Sequence, residues 1–265
     1  MFRNMYDNDV STWSPQGRLY QIEYAMEAVK QGSVTIALKS KQHVVLCALK
    51  RAPSKLSAHQ KKIGVIDEHV GFSMAGLASD ARVLLKFLRL ECISHRYEFG
   101  KPIPCKHLME RLIDHCQPRT MLYGQRPYGV GLLIGCYDDN GPHLYQFCPS
   151  STYYDCRAMA LGARSQSART YFEKHLDLFN DCTLDELIHH GLLALKETLP
   201  NDVELTCSNC SIGIIGKDKP FMILDQSEEL QPYLNLIKSS EGALGSSTVD
   251  SHSAGTTSEE QHHEQ

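Results

Sequence analysis

Tyr6–Gly32, YDNDVSTWSPQGRLYQIEYAMEAVKQG, is the stretch from which the fold of this chain is read outward. Ser14-Pro15-Gln16-Gly17 has the makings of a reverse turn: Ser opens it, Pro presets φ at the second position and Gly tolerates the fourth. Leu19, Ile22, Met26 and Val29 then recur at three- and four-residue steps, the period of a helix with one apolar stripe. The spacing predicts a helix over 18–31, closed by Gly32 as a C-terminal glycine. At about 13 residues such a helix is marginal alone in water, so it must lean on a larger body.

That body begins at once. Val34, Ile36 and Leu38 alternate with Thr35, Ala37 and Lys39, giving a strand with one less apolar face. Val44–Leu49 is apolar without a break, which suits a strand covered on both sides. Ile63–Ile66 and Val70–Met74 read as another hairpin. Two helices follow, one on Ala81, Leu84, Leu85, Leu88 and Cys92 with Ser79 and Asp80 as starting signals, the other on Leu108, Leu112 and Cys116. Strands return over 128–137, 144–148 and 153–156, the first two joined by the hairpin signal Asp139-Asn140-Gly141. Ala168, Phe172, His175 and Phe179 mark a third helix of the body. A capping box at Thr183 and Glu186 opens a fourth that ends by Pro200. Strands at 212–215 and 221–224 and a closing helix through Leu230, Tyr233, Leu234 and Ile237 complete the pattern. Strands grouped with strands and helices paired with helices give an α+β fold of packed layers.

Composition narrows the function classes. The 265 residues are 42% hydrophobic and 22% charged, ordinary for a soluble globular protein, and a net charge of −4 argues against a dedicated nucleic-acid surface. The longest apolar runs, Val44–Leu49 and Val130–Ile134, are too short to span a bilayer, and MFRNMYDNDV lacks the apolar core of a secretory signal. The chain is expected in the cytoplasm, with access to the nucleus. Its ten cysteines sit largely at apolar positions and read as reduced, buried thiols. Cys207-Ser208-Asn209-Cys210 has no second ligand pair at metal-site spacing, so no metal or cofactor is expected. Arg126-Pro127-Tyr128-Gly129-Val130-Gly131 opens a strand and lacks phosphate-loop spacing; its small residues suit close approach of strands. From Ser239 the composition turns to Ser, Gly, Thr, Glu and His, the signature of a disordered tail.

Tyr6-Asp7, Trp13-Ser14-Pro15-Gln16-Gly17-Arg18-Leu19 and Gln21-Ile22-Glu23-Tyr24-Ala25 together resemble the N-terminal signature of proteasome alpha-type subunits. The resemblance covers roughly the first 238 residues. Met1-Phe2-Arg3-Asn4, QIEYAMEAVKQGS at 21–33 and ARSQSARTY at 163–171 look most like the member at the sixth position of a eukaryotic ring. It implies the four-layer αββα sandwich of N-terminal-nucleophile hydrolases over 18–238, with the opening helix lying over the sandwich end, a gate segment over 1–17 and a tail over 239–265. It also implies a non-catalytic subunit of the 20S core proteasome. The implied partners are other alpha-type subunits in a heteroheptameric ring, the beta-type catalytic ring, and regulatory ATPases and other activators. Tyr6, Asp7, Pro15 and Tyr24 match the family's gate cluster. Lys62, Gly76 and Leu77 match its activator-docking pocket, although Met26 stands where some relatives carry a basic residue and Asn8 replaces an arginine. In the family the helix after Arg157 and Arg164, which carries Arg169, faces the catalytic ring.

Catalytic relatives use the first residue of the first strand as nucleophile, with its own α-amino group as base. Gly32-Ser33 holds that register, so a self-processing hydrolase using Ser33 is the enzyme rival. Against it stand Ser in place of Thr, Leu49 where an aspartate is expected, and a well-specified helix in place of a disposable leader. A lone Lys62 then has no proton circuit. A third class is a free-standing interaction module. Native mass separates it from a ring subunit: the chain is expected only within a much larger particle, and a stable species at 29.8 kDa would favour the module.

Overall fold

The computed structural model describes residues 5–52, 54, 56–200, 203–217, 219–226 and 228–236; the Ser-rich segment over 239–265 lies outside them, as does Ile237. Two five-stranded antiparallel sheets form the centre. One runs in the order β10 (Lys219–Leu224), β9 (Cys210–Gly216), β2 (His43–Leu49), β1 (Thr35–Lys39), β8 (Ala158–Leu161). The other runs β3 (Ile63–Asp67), β4 (Val70–Gly76), β5 (Val130–Asp138), β6 (Gly141–Cys148), β7 (Thr152–Asp155). Period-2 alternation sorts the side chains. On β1 and β2, Ile36, Leu38, Val45 and Cys47 face outward to α4 (Ser165–His175) and α5 (Leu184–Glu197). Ala37, Val44, Leu46 and Ala48 face inward and meet Ile63, Leu133 and Leu144 between the sheets. The outer face of the second sheet packs under α2 (Ala78–Phe99) and α3 (Cys105–Cys116) through Phe72, Leu84, Leu88, Leu108, Leu112 and Ile134. Four layers result, αββα, as the resemblance implied. No described helix is long and apolar enough to cross a membrane.

Local signals explain the connections. Thr183 Oγ1 accepts from the Glu186 N–H and the Glu186 carboxylate accepts from the Thr183 N–H, so both halves of the capping box form. Asp138 pairs with Gly141 across the two-residue turn, with Gly141 at φ 111. The closing helix spans 228–236 and buries Leu230 and Leu234. One strand lay beyond the sequence reading: β8 is only four residues, all apolar, with no alternation to announce it. Pairing with β1 defines it.

The first helix, α1 (Tyr20–Gln31), lies against β4 and β5 at the end of the sandwich. Its buried face is Tyr20, Ala25 and Val29; Met26, placed on the stripe by spacing, is 43% exposed. The face is turned because Val29 enters the inter-sheet core beside Gly131, where a side chain at 131 would strike it. Burying one such valine stabilises the seat by roughly 1.5–3 kcal/mol. Gly32 closes the helix as expected, its N–H donating to Val29 O, and does so with an ordinary φ of −62°. It is glycine because a Cβ there would fall on the Gly76 amide nitrogen.

Gly32→Ala is therefore expected to destabilise the full chain by about 3 kcal/mol, the upper range of overpacking. Gly100→Ala, with open space around it but φ 67, should cost only about 1–2 kcal/mol. Equal shifts in thermal melts of the two variants would contradict the close-approach reading.

Candidate functional site

Where α1 hands over to β1, four hydrogen bonds fasten the Gly32–Ser33 junction. The Gly32 N–H donates to Val29 O at 3.2 Å and the Ala163 N–H donates to Gly32 O at 2.7 Å. Ser33 Oγ donates to Leu49 O at 3.0 Å. Lys62 Nζ donates to Ser33 O, and lies 3.4 Å from Val34 O. A hydrolase of this kind needs a free amine at residue 33, a mobile hydroxyl and a carboxylate near the lysine. Here the hydroxyl proton is committed to a carbonyl, and Leu49 presents an apolar side chain where the carboxylate is needed.

Lys61 and Lys62 separate sharply. The Lys61 side chain is 83% exposed, whereas Lys62 is buried at 5%. Burial, aided by the nearby Arg51 charge, lowers the Lys62 ammonium to about 7. Its two acceptors are neutral carbonyls, which orient the amine without a balancing charge. Gly76 and Leu77 lie at the same end, because Gly32 abuts the Gly76 backbone. Leu77 is 47% exposed and its N–H donates to Gly129 O at 2.9 Å. The structure thus groups Lys62, Gly76 and Leu77 around the α1–β1 junction, but turns the lysine inward.

The gate residues come together in part. Tyr24 Oη donates to Asp7 Oδ2 at 2.9 Å, and Gln21 Nε2 donates to Asp7 O. Tyr6 is half-buried, and Pro15 is exposed in the turn closed by the Gly17 N–H to Ser14 O bond at 2.9 Å. Residues the sequence reading passed over do as much. Asp9 accepts from the Ser11 N–H at 2.8 Å and from the Gly124 N–H at 3.0 Å, and Val10 is 1% exposed. The Asp9-x-Ser11 spacing is an Asx-turn signal that could have found the first of these; the Gly124 contact spans too much chain for any local pattern.

Asp80 corrects a second expectation. It stands in the first turn of α2, yet the helix begins at Ala78 and its cap, Leu77, makes no side-chain bond. The buried Asp80 carboxylate instead grips Arg126 at 2.7 and 2.9 Å and accepts from the Gly129 N–H at 2.9 Å. The Arg126 hydrogen bonds hold it below the usual carboxylate range against the opposing effect of burial. This pins the RPYG loop beside α1, with Gly129 packed under Leu77. Among the three arginines around Gly162, Arg169 donates to Ala160 O at 2.9 and 3.0 Å and so serves the fold. Cys210 is buried in β9 while Cys207 Sγ donates to Gln231 Oε1 at 3.2 Å.

A family model described as proteasome subunit matches residues 29–215, and a second, for the N-terminal signature of the A-type proteasome subunits, matches residues 6–28. The chain belongs to the proteasome subunit family, alpha type. It is 51% identical over 242 residues to the alpha type-1 proteasome subunit of Dictyostelium discoideum, covering 91% of this chain and 97% of that one. Alpha type-1 of Caenorhabditis elegans is 51% identical over 228 residues, 86% of this chain and 88% of its own. The probable alpha type-6 subunit of Schizosaccharomyces pombe is also 51% identical over 228 residues, 86% and 84%. Alpha-type subunits are the non-catalytic outer-ring components of the 20S core, and membership implies assembly with other proteasome subunits. The geometry at Ser33 agrees with that standing.

Lys62 writes a pH signature into the stability of the fold. Its folded-state value is depressed, so between about pH 7 and the unfolded value of about 10.4 the unfolded chain binds the extra proton and stability rises with pH. Against Lys62→Met, wild type should gain about 1 kcal/mol per pH unit across the lower part of that window in urea titrations. A flat difference would mean that Lys62 keeps an ordinary ammonium.

Proposed function

We propose that this alpha-type chain helps hold the substrate gate of the 20S core and offers a docking pocket to regulatory particles. It sits in the seven-membered alpha ring, above the beta-type catalytic ring, in ubiquitin-dependent and ubiquitin-independent protein degradation. Its place of work is the cytoplasm and nucleus. The observation that carries the gating role is the Tyr24–Asp7 hydrogen bond, which ties the lead-in to α1 across 17 residues of chain. Asp9 adds the tie to Gly124. The lead-in is therefore held at a defined place on the subunit, as a gate segment must be.

Contacts beyond the chain are supported by exposed apolar surface near that tie. Trp13 is 63% exposed and Tyr123 84%, with Met121 and Leu122 beside it. Such a patch favours cover by another protein. Docking rests on the grouping of Lys62, Gly76 and Leu77. A lysine suits a terminal carboxylate as a point charge; here the ammonium must turn from Ser33 O to meet one.

Tyr24→Phe removes one hydrogen bond worth about 1 kcal/mol, so basal hydrolysis of fluorogenic peptides by the assembled particle should rise by up to about fivefold. Deleting residues 2–12 should act in the same direction. No rise in either particle would retire the gating role. Lys62→Ala should weaken activation by regulator-derived C-terminal peptides, and unchanged activation would retire the pocket.

A further inference from the structure

Between the ends of β2, β3, β9 and β10 lies a cavity of about 180 Å³. Lys50, Lys61 and Lys62 line it with Ser211 and Asp225, over an apolar floor that includes Ile223. It shares Lys62 with the docking group, but neither Gly76 nor Leu77 borders it. Two ammonium groups, those of Lys50 and Lys61, face one carboxylate there, while the Lys62 amine is turned to Ser33 O. Lys50 Nζ pairs with Asp225 Oδ1, and Lys61 Nζ lies 3.9 Å from Asp225 Oδ2. One carboxylate cannot balance two cations, one of which belongs to a buried residue: Lys50 is 7% exposed.

A second observation is independent of charge. Ser211 is 3% exposed and its Oγ has no hydrogen-bond partner among the described residues. A buried hydroxyl left unmet on the wall of a polar cavity marks a place for a ligand or ordered water. Water would satisfy Ser211 but leave the positive charge uncompensated. An anion does both, and in a half-buried setting its attraction to the ammoniums is weakly screened. The volume matches a few waters, each with roughly 30 Å³ in the liquid, so the ligand is small. Lysines recognise phosphate-like groups as point charges from several directions.

We propose that this cavity is a binding site for a small, free tetrahedral oxyanion of the phosphate or sulfate class, held by Lys50 Nζ, Lys61 Nζ and the Ser211 hydroxyl. The three residues stand just after β2, in the lead-in to β3, and on β9, and all line the cavity, so a bound oxyanion bridges the two sheets at that edge. Lys62 forms the inner wall while its amine stays on Ser33 O. Arg51, close enough to disfavour the charged form of Lys62, adds to the positive field.

The test uses the assembled particle with selenate as the probe, chloride at matched ionic strength being the control, and reads the anomalous signal in crystals. Selenate should occupy the cavity within hydrogen-bond distance of Ser211 Oγ and Lys61 Nζ. Ser211→Ala, which removes an unsatisfied group and should fold, and Lys61→Met, at an exposed rim, should each weaken occupancy about tenfold. Lys61→Arg should retain it. Selenate found only at surface sites, an adventitious ion only, would overturn the proposal. Equal occupancy in wild type, Ser211→Ala and Lys61→Met would also overturn it.

Discussion

The packing and hydrogen bonding of the Gly32–Ser33 junction, where α1 hands over to β1, is the constraint on which the rest of this chain turns. The surroundings hold both ends of the junction still. Gly32 fits only because no side chain separates it from the Gly76 backbone. Ser33 gives its hydroxyl proton to Leu49 O and its carbonyl to Lys62. A lysine that could have served a proton circuit is spent on orienting backbone. The chain thus keeps the sandwich of a hydrolase while its geometry withholds the acid and the mobile hydroxyl.

Seating α1 at that end has structural consequences. Val29 enters the inter-sheet core, Gly131 leaves room for it, and the Asp80–Arg126 pair holds the neighbouring loop in place. The same helix carries Tyr24 and Gln21, which anchor Asp7 and hence the lead-in. One element therefore both covers the Ser33 end of the sandwich and positions the segment proposed as the gate. The packing of the core and the placing of that segment are coupled through a helix too short to stand alone.

Much of this was legible in the sequence. Alternation separated the two faces of β1, unbroken apolarity marked β2 as covered on both sides, and the capping box and Asp139-Asn140-Gly141 turn formed as read. The rest failed for reasons of distance. Asp80 looked like a helix-start residue because its partners, Arg126 and Gly129, lie far along the chain. Gly32 was legible as the residue that closes α1, but not its need to be glycine against Gly76, which belongs to another strand. Met26 fell on the stripe because helical period fixes spacing but not which flank meets the sheet. β8 is defined by its partner β1 and carries no period of its own. For the candidate site, the Tyr24–Asp7 pair was expected, whereas the inward turn of Lys62 beside an exposed Lys61 had no local signal.

The most direct test joins intact mass with electrophile labelling of this chain in the purified particle. The chain should retain the residues that precede Ser33, and a hydroxyl-directed inhibitor should leave Ser33 unmodified while labelling catalytic subunits in the same preparation. A chain beginning at Ser33 and carrying the label there would contradict a non-catalytic role in which the first helix stays in place.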